Sequence, residues 1–378
     1  MPPQITPKRE NRYRVAHLHN SEGVYGAEHW TLTLAKYLAD TDIDTLVITI
    51  GNKPNSDEFF KRLVDAGIPA VHLPIPGRFN LRLIIKIRRL LIQKKIQILH
   101  THGFKSDVMG YFSTRGLTIA LVSTPHGWCA EENWLIRIYE AIGRFFLRRF
   151  DKVFPLSPAL FENLISRGFA RKRLCMILNA VDTAGFDLMF SRRSWRQTND
   201  PLHVLFVGRL RTTKGIMELV EGFSKARLTK GSLLYIVGDG IERSGLEARC
   251  RSLGILDQVR ILGELENVAP IYAKSDVLVL PSYSEGVPRV IMEAFASGVP
   301  VIGTDIYGIR QLITPNKTGF LVPVANAEAI ARCLERIDQT PEWAQAMAIN
   351  ARELIIQKFS GGRQALTFAK EYKALVGL

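Results

Sequence analysis

The stretch "YSEGVPRVIMEAFASGVPVI", from Tyr283 to Ile302, holds two carboxylates, Glu285 and Glu293, in sequence otherwise suited to a core. Burying an unpaired carboxylate is costly, so this pair calls for partners, and a ligand is one solution. Carboxylates accept hydrogen bonds from sugar hydroxyls, while the backbone N–H groups of Gly286 and Val287, at a helix start, are free to meet oxygen acceptors. Eight residues separate Glu285 from Glu293, about 12 Å of rise if all were helical. A turn at Gly286 lets the two flank an extended ligand. Pro288 suits the first helical turn and Gly298 its end. A charge at a helix end interacting with the dipole accounts for Glu285 alone, but not for Glu293.

Two further loops carry chemistry for anions. In "RLRTTKGIMELVEGF", Arg209 and Lys214 lie on either side of a short loop and Gly215 opens a helix. Two cations beside a helix N-terminus form a diphosphate clamp; a solvated basic loop is the plainer alternative. The phosphate-loop pattern G-x-x-x-x-G-K-[ST] is absent. In "NSEGVYGAEHW", Gly23 and Gly26 let backbone amides approach an anion, although G-x-x-G is not the dinucleotide fingerprint G-x-G-x-x-G. His126 in "STPHGWCAEENW" follows an apolar strand and precedes Gly127, where it can face a cleft; His100 and His102 in "LHTHG" sit similarly. Such histidines are often structural.

These loops need elements to hold them. Short β-rich runs alternate with amphipathic stretches of ten or more residues, the pattern of βα units in a parallel sheet. The strands expected are "RVAHL", "DTLVI", "AVHL", "IQILH", "IALVST" and "KVFPLS" in the first half, then "HVLFVG", "LLYIVG", "QVRILG", "DVLVLPS" and "VPVIG". The chain thus reads as two doubly wound, Rossmann-like α/β domains facing across a cleft, residues 1–182 and 202–360. A linker over 183–201 would join them, and a C-terminal helix over 361–378 would return to the first domain. A length of 378 residues agrees with two domains. In such sheets ligands bind beyond the carboxyl ends of the strands, where each of these loops falls.

The net charge of +14 implies an anionic partner: nucleic acid, anionic lipid or a phosphorylated small molecule. Residues 1–190 carry 26 Lys+Arg against 17 Asp+Glu, and 191–378 carry 24 against 19, so both halves are basic. Cys129, Cys175, Cys250 and Cys333 have neither zinc-motif nor disulfide-framework spacing. No apolar run reaches the length of a membrane span, and "MPPQITPKRENRYR" lacks a signal-like apolar segment. The expected location is cytoplasmic, peripheral on the inner face of the membrane if the basic surface engages it.

Together, Gly23-x-x-Gly26, His126, Arg209 with Lys214, and Glu285-x₇-Glu293 in "EGVPRVIMEAFASGVPVIGTD" resemble retaining, nucleotide-sugar-dependent glycosyltransferases of the GT-B fold, glycosyltransferase family 4. "LSPALFENLISRGF", "LNAVDT", "IVGDG" and "LGELENVAPIYAKSDVLVLPS" agree, and the resemblance spans nearly the whole chain. It implies that Arg209 and Lys214 hold the donor diphosphate, Glu293 the ribose, and Glu285 with the Gly286-Val287-Pro288 backbone the donor sugar. Gly26 would bring amides toward the phosphates, and His126 would sit near the anomeric carbon. It implies a UDP-sugar as the first donor to test, no cofactor, no metal and no protein nucleophile. Two departures stand out: Tyr25 where the family often has a glycine, and Tyr307-Gly308 with Gln311 where it often has Gly-Gly and a glutamate.

Residues 78–95, "RFNLRLIIKIRRLLIQKK", hold seven basic and no acidic residues, and residues 134–149 add Arg144, Arg148 and Arg149 beside Phe145 and Phe146. Basic amphipathic helices of this kind lie on anionic bilayers, which would make the acceptor a lipid-linked saccharide or other glycan precursor. Packing on a sheet with a solvated basic face explains them equally. A nucleotide-sugar epimerase shares the architecture but lacks a visible acid/base set. A nucleic-acid binder would use the charge, but no aromatic stacking platform accompanies it, so no nucleic acid is expected. A dehydrogenase is disfavoured by the missing fingerprint.

Overall fold

A computed structural model describes residues 12–20, 26–51, 58–74, 81–126 and 143–377. Gly23, Tyr25, Gly127 and Cys129, with the portions 78–80 and 134–142 of the basic stretches, lie outside the described residues. The chain forms two compact units: one runs to Asn179 and includes the segment from Gly361, the other is Ala180–Ser360.

The first unit is built on a six-stranded parallel sheet in the order β3-β2-β1-β4-β5-β6. Its strands are β1 (Tyr13–Asn20), β2 (Ile43–Gly51), β3 (Ala70–Pro74), β4 (Ile98–His102), β5 (Ala120–Ser123) and β6 (Lys152–Val153). Both faces are covered, as a parallel sheet requires. On one face Ala16, Leu18 and Leu99 pack with Leu83, Ile87 and Leu91 of the helix Leu81–Gln93. On the other, Val15 and Ile98 pack with Trp30 and Leu34 of the helix Gly26–Leu38 and with Phe368 and Tyr372 of the helix Gly361–Val376. Side chains alternate along a strand, so His17 and His19 share this second face.

The second unit repeats the architecture, in the order β12-β11-β10-β7-β8-β9 and again all parallel. The strands are β7 (His203–Val207), β8 (Leu233–Val237), β9 (Val259–Gly263), β10 (Val277–Leu280), β11 (Val301–Thr304) and β12 (Gly319–Val322). Strand β12, absent from the expected set, is four residues long and opens on a glycine. It pairs in register with β11 from Val301↔Gly319 to Thr304↔Val322.

The segment 183–201 is mostly exposed, as expected of a linker, but it belongs to the second unit and is anchored on it. It begins with the helix Ala184–Ser191. Phe190 lies so close to Gly298 that a Cβ there would approach its ring to 2.6 Å, and Arg352 stacks over the Phe190 ring at 4.3 Å. Arg196 is almost wholly buried and pairs with Asp338 at 3.0 Å, while Arg193 donates to the carbonyls of Tyr272 and Ser275. Arginine can bury its stem while its guanidinium satisfies carbonyls and a carboxylate. Phe190, Arg193 and Arg196 thus tie a mostly exposed segment to the second unit.

Candidate functional site

In a doubly wound sheet the crevice opens where successive crossovers diverge to opposite sides. In the second unit that point lies between β7 and β10, neighbours whose onward connections lead to β8 on one side and β11 on the other. The loops leaving β7, β10 and β11 meet there through backbone contacts. Gly215, at φ 65°, lies so close to Pro281 that a Cβ would fall 2.1 Å from its carbonyl oxygen. The Tyr283 N–H donates to the Thr213 carbonyl at 2.9 Å, and the Thr304 hydroxyl donates to the Ser282 carbonyl at 2.5 Å. Gly308 admits the β10 loop in turn, because a Cβ there would lie 1.8 Å from the Gly286 oxygen and 2.3 Å from that of Glu285.

This frame brings Lys214 and Glu285 together, Nζ to Oε1 at 2.6 Å, with both side chains mostly buried. The Ser282 hydroxyl donates to the same carboxylate oxygen at 2.8 Å. An ammonium has three donors, so Lys214 keeps two for another anion. Arg209 lies exposed on the β7 loop and forms no ion pair or side-chain hydrogen bond among the described residues. Gly286 is exposed, with nothing within 4 Å of a hypothetical Cβ, and Val287 is half-buried. Pro288 precedes the helix Arg289–Ala296 as its cap rather than occupying its first turn.

Glu293 is buried, as its apolar neighbours suggest, but it is not unpaired. Arg289, one turn earlier, donates to it at 2.7 Å, and the Tyr272 hydroxyl reaches its other oxygen at 3.2 Å. Burial, then the Glu293 charge, push the Tyr272 hydroxyl well above its ordinary range, so it acts as an O–H donor. The protein itself thus supplies partners for both carboxylates: Arg289 was adjacent in the sequence at helical spacing, and Lys214 came from another loop. Gln311 carries a buried Nε2 with no hydrogen-bond partner among the described residues.

The first unit has its own divergence point, between β1 and β4. Parallel register sets His17 beside His100 and His19 beside His102, making a two-by-two array of imidazoles on one face of the sheet. His126 lies just beyond β5 and bonds to it: His102 Nδ1 to His126 Nε2 is 3.2 Å, and His17 Nδ1 to His102 Nε2 is 3.0 Å. His19 bonds to Thr31, and His100 to the hydroxyls of Tyr372 and Thr124. Burial pushes His17 and His126 down to about 3. Burial first, then the neighbouring imidazoles, hold His19, His100 and His102 well below the usual histidine range. All five are neutral at pH 7. His17 and His19 escaped the sequence reading; the signal was the matching H-x-H of "HLH" and "HTH", whose pairing only register reveals. Gly26 begins the helix Gly26–Leu38, with open space where a Cβ would stand.

Residues 24–184 match the sequence profile of Glycosyltransferase Family 4, and residues 189–354 that of Glycosyl transferases group 1. The chain belongs to glycosyltransferase family 4. It is 26% identical over 348 residues to the N-acetyl-alpha-D-glucosaminyl L-malate synthase of Bacillus anthracis, covering 89% of each chain. It is 23% identical to the Escherichia coli UDP-Gal:alpha-D-GlcNAc-diphosphoundecaprenol alpha-1,3-galactosyltransferase, covering 93% of this chain and 94% of that protein. The structure of Anabaena HepE in complex with UDP superposes with a TM-score of 0.80 at 19% identity, over 96% of this chain and all of that one. The family 4 chain therefore has the GT-B fold and is a glycosyltransferase that uses a nucleotide-sugar donor. Among the described residues, no helix is long and apolar enough to cross a membrane.

Proposed function

We propose that this family 4 enzyme transfers a sugar, with retention at the anomeric carbon and without a metal, from a nucleoside-diphosphate donor to a hydroxyl of a lipid-linked saccharide. The observation that carries the donor half is the Lys214–Glu285 pair, 2.6 Å apart at the divergence point of the second sheet, on the same β7 loop as Arg209, a cation without an ion-pair partner among the described residues. In this reading Lys214 and Arg209 neutralise the diphosphate, and Glu293, held by Arg289 and Tyr272, accepts from the ribose hydroxyls. Glu285 and the backbone of Gly286, Val287 and Pro288 hold the donor sugar; Pro288 contributes only a carbonyl, since it has no N–H. In the first unit, Gly26 offers helix-terminal amides to phosphate and His126 serves the donor sugar.

Fixed cations and helix dipoles stabilise a leaving diphosphate as a metal would. The bond from the anomeric carbon to the phosphate oxygen breaks, the acceptor oxygen bonds to that carbon on the same face, and the acceptor proton passes to the departing phosphate. No protein nucleophile is required. The acceptor reading draws on the Escherichia coli relative, whose name states a diphosphoundecaprenol substrate. It also draws on the helix Leu81–Gln93, where exposed Leu81, Ile85 and Ile92 lie among exposed Arg82, Lys86 and Arg89. Elsewhere in the first unit, Arg149 stacks over exposed Phe145 at 3.9 Å. Such a surface fits an anionic bilayer at the inner membrane face.

Calorimetric titration with UDP, GDP and ADP, in EDTA and repeated on Glu293→Ala and Glu293→Gln, tests the donor half. Selective, metal-independent binding that weakens at least about tenfold in both variants is expected. Wild-type affinity in both, or no binding of any nucleotide, refutes the site. Sedimentation with phosphatidylglycerol vesicles, reduced in Lys86→Glu/Arg89→Glu, tests the membrane half.

A further inference from the structure

The histidine array does more than fill a core. His17, His102 and His126 form a continuous chain of two imidazole–imidazole hydrogen bonds, of 3.0 and 3.2 Å. His102 uses both of its ring nitrogens, so the chain has a direction. A neutral imidazole carries one proton, and burial keeps all three rings neutral. Only two proton arrangements complete both bonds. Either every ring carries its proton on Nδ1 and each donates toward His126, or every ring carries it on Nε2 and each donates toward His17.

The inner end of the chain separates them. His17 Nε2 is buried and has no hydrogen-bond partner among the described residues. In the second arrangement that atom is an orphaned buried N–H; in the first it is an unused acceptor. Among backbone groups, orphaned buried N–H donors are rarer than under-satisfied acceptors, and the same preference applied to His17 selects the first arrangement. The surroundings hold the rings in place: His17 and His102 stack at 5.3 Å, and Trp30 packs edge-on against His126 at 5.1 Å. A metal is the less economical account of the cluster. Candidate ligand atoms of His17, His100 and His102 lie within 4.8 Å of one another, but both His100 nitrogens already bond to hydroxyls, at 2.6 and 2.8 Å.

We propose that His102, backed by His17, is a positioning residue that locks His126 with its proton on Nδ1 and its Nε2 lone pair occupied. His126 then meets the donor sugar with a fixed N–H and has no free lone pair to act as a base. This rests on the reading that His126 serves the donor sugar; the tautomer itself does not. Reversing the chain would turn the same residue into an acceptor, so the inner histidines decide which hydrogen bond the site can make.

The test reads tautomer and turnover separately. Two-bond ¹H–¹⁵N spectra of the full chain labelled with ¹⁵N-histidine report each ring, with His126 assigned by its loss in His126→Gln. The wild type should show His126 with a protonated Nδ1 and a bare Nε2. In His102→Phe the ring should become a mixture of tautomers. Turnover number, measured as nucleotide release from whichever of UDP-glucose, UDP-galactose, UDP-N-acetylglucosamine or GDP-mannose gives activity, should fall roughly 10- to 100-fold. The donor KM should change less than about threefold. His102→Asn, whose amide N–H can stand in for Nδ1–H, should restore most of the loss. A wild-type His126 protonated on Nε2, or a tautomer unchanged in His102→Phe, overturns the proposal. If His102→Phe fails to fold, the wild-type spectrum and His102→Asn decide it. Full turnover in His126→Ala with the expected tautomers would remove the catalytic reading of His126 and leave the lock standing.

Discussion

The two units are the same device with opposite electrostatics at corresponding places. Each is a six-stranded parallel sheet whose central pair of strands marks the divergence of the crossovers, β1 with β4 and β7 with β10. Beyond β7 and β10 sits an ion pair, Lys214 with Glu285, and Arg209 is exposed on the same β7 loop. Within and beyond β1 and β4 sit five neutral imidazoles, all engaged in hydrogen bonds. A site that keeps ionised groups at a crevice can neutralise a diphosphate. A site that removes charge by burial can only offer hydrogen bonds of fixed direction. The difference fits the proposed function, in which the second unit stabilises charge and the first orients the donor.

Removing charge from the second unit should have the largest effect on ligand. Lys214→Ala leaves Glu285 bonded to the Ser282 hydroxyl, so the fold survives, while UDP or GDP affinity by calorimetry should fall about 100-fold, the scale of a charge-assisted hydrogen bond plus its Coulomb term. An unchanged affinity would break the comparison, since the second site would then not be the cationic one.

The imidazoles make the first unit sensitive to acid. The lowered histidine values mean that the unfolded chain binds more protons than the folded one between about 3 and 6.5. Stability therefore rises with pH across that range and is lost as pH falls through it, by several kcal/mol over the cluster. Asp107, pushed up to about 7 by burial, works the other way: its contribution is present below its unfolded value near 3.8 and is lost as pH rises toward 7. One carboxyl opposes five imidazoles. Urea titrations from pH 4 to 7 should show the first unit unfolding before the second at low pH, and His17→Phe should flatten the slope. Equal acid sensitivity of both units would count against the contrast.

A smaller effect separates geometry from charge in the second unit. Gly308→Ala places a Cβ where the carbonyls of Glu285 and Gly286 now lie. The loop must shift, and nucleotide affinity should drop about tenfold while the ion pair's residues remain. Binding equal to wild type would show that the loop's placement does not matter.

How much of this could be read in the sequence differs between the units for physical reasons. The expected strands β7 to β11 were legible because apolar runs are local signals, and Lys214, Glu285 and Glu293 could be singled out as candidates because their positions in loops and at a helix start are local too. What Lys214 and Glu285 do together was not, since they come from loops after different strands. How the linker is anchored was not legible, because Arg193 and Arg196 bond to carbonyls supplied by distant residues. In the first unit, "HLH" and "HTH" were both visible, but His17 faces His100 only through the register of β1 on β4. Sequence shows which chemistry is present; register shows which groups meet.

The smallest prediction concerns backbone alone, and it sits on the basic helix of the first unit. Helices in both units end with a left-handed residue and paired backbone bonds. After Arg243–Ser252, Gly254 at φ 69° donates to Arg251 and Ile255 to Cys250. After Leu81–Gln93 the same two bonds run from Lys95 to Ile92 and from Ile96 to Leu91, but the left-handed residue is Lys95, at φ 52°. A side chain disfavours that conformation and glycine does not. Glycine also gives the unfolded chain more freedom, which offsets part of the gain. Lys95→Gly should therefore stabilise the first unit by about 0.5–1 kcal/mol in urea denaturation, with nucleotide binding by the second unit untouched. A loss of stability instead would mean that the Lys95 side chain contributes more than its backbone strain removes.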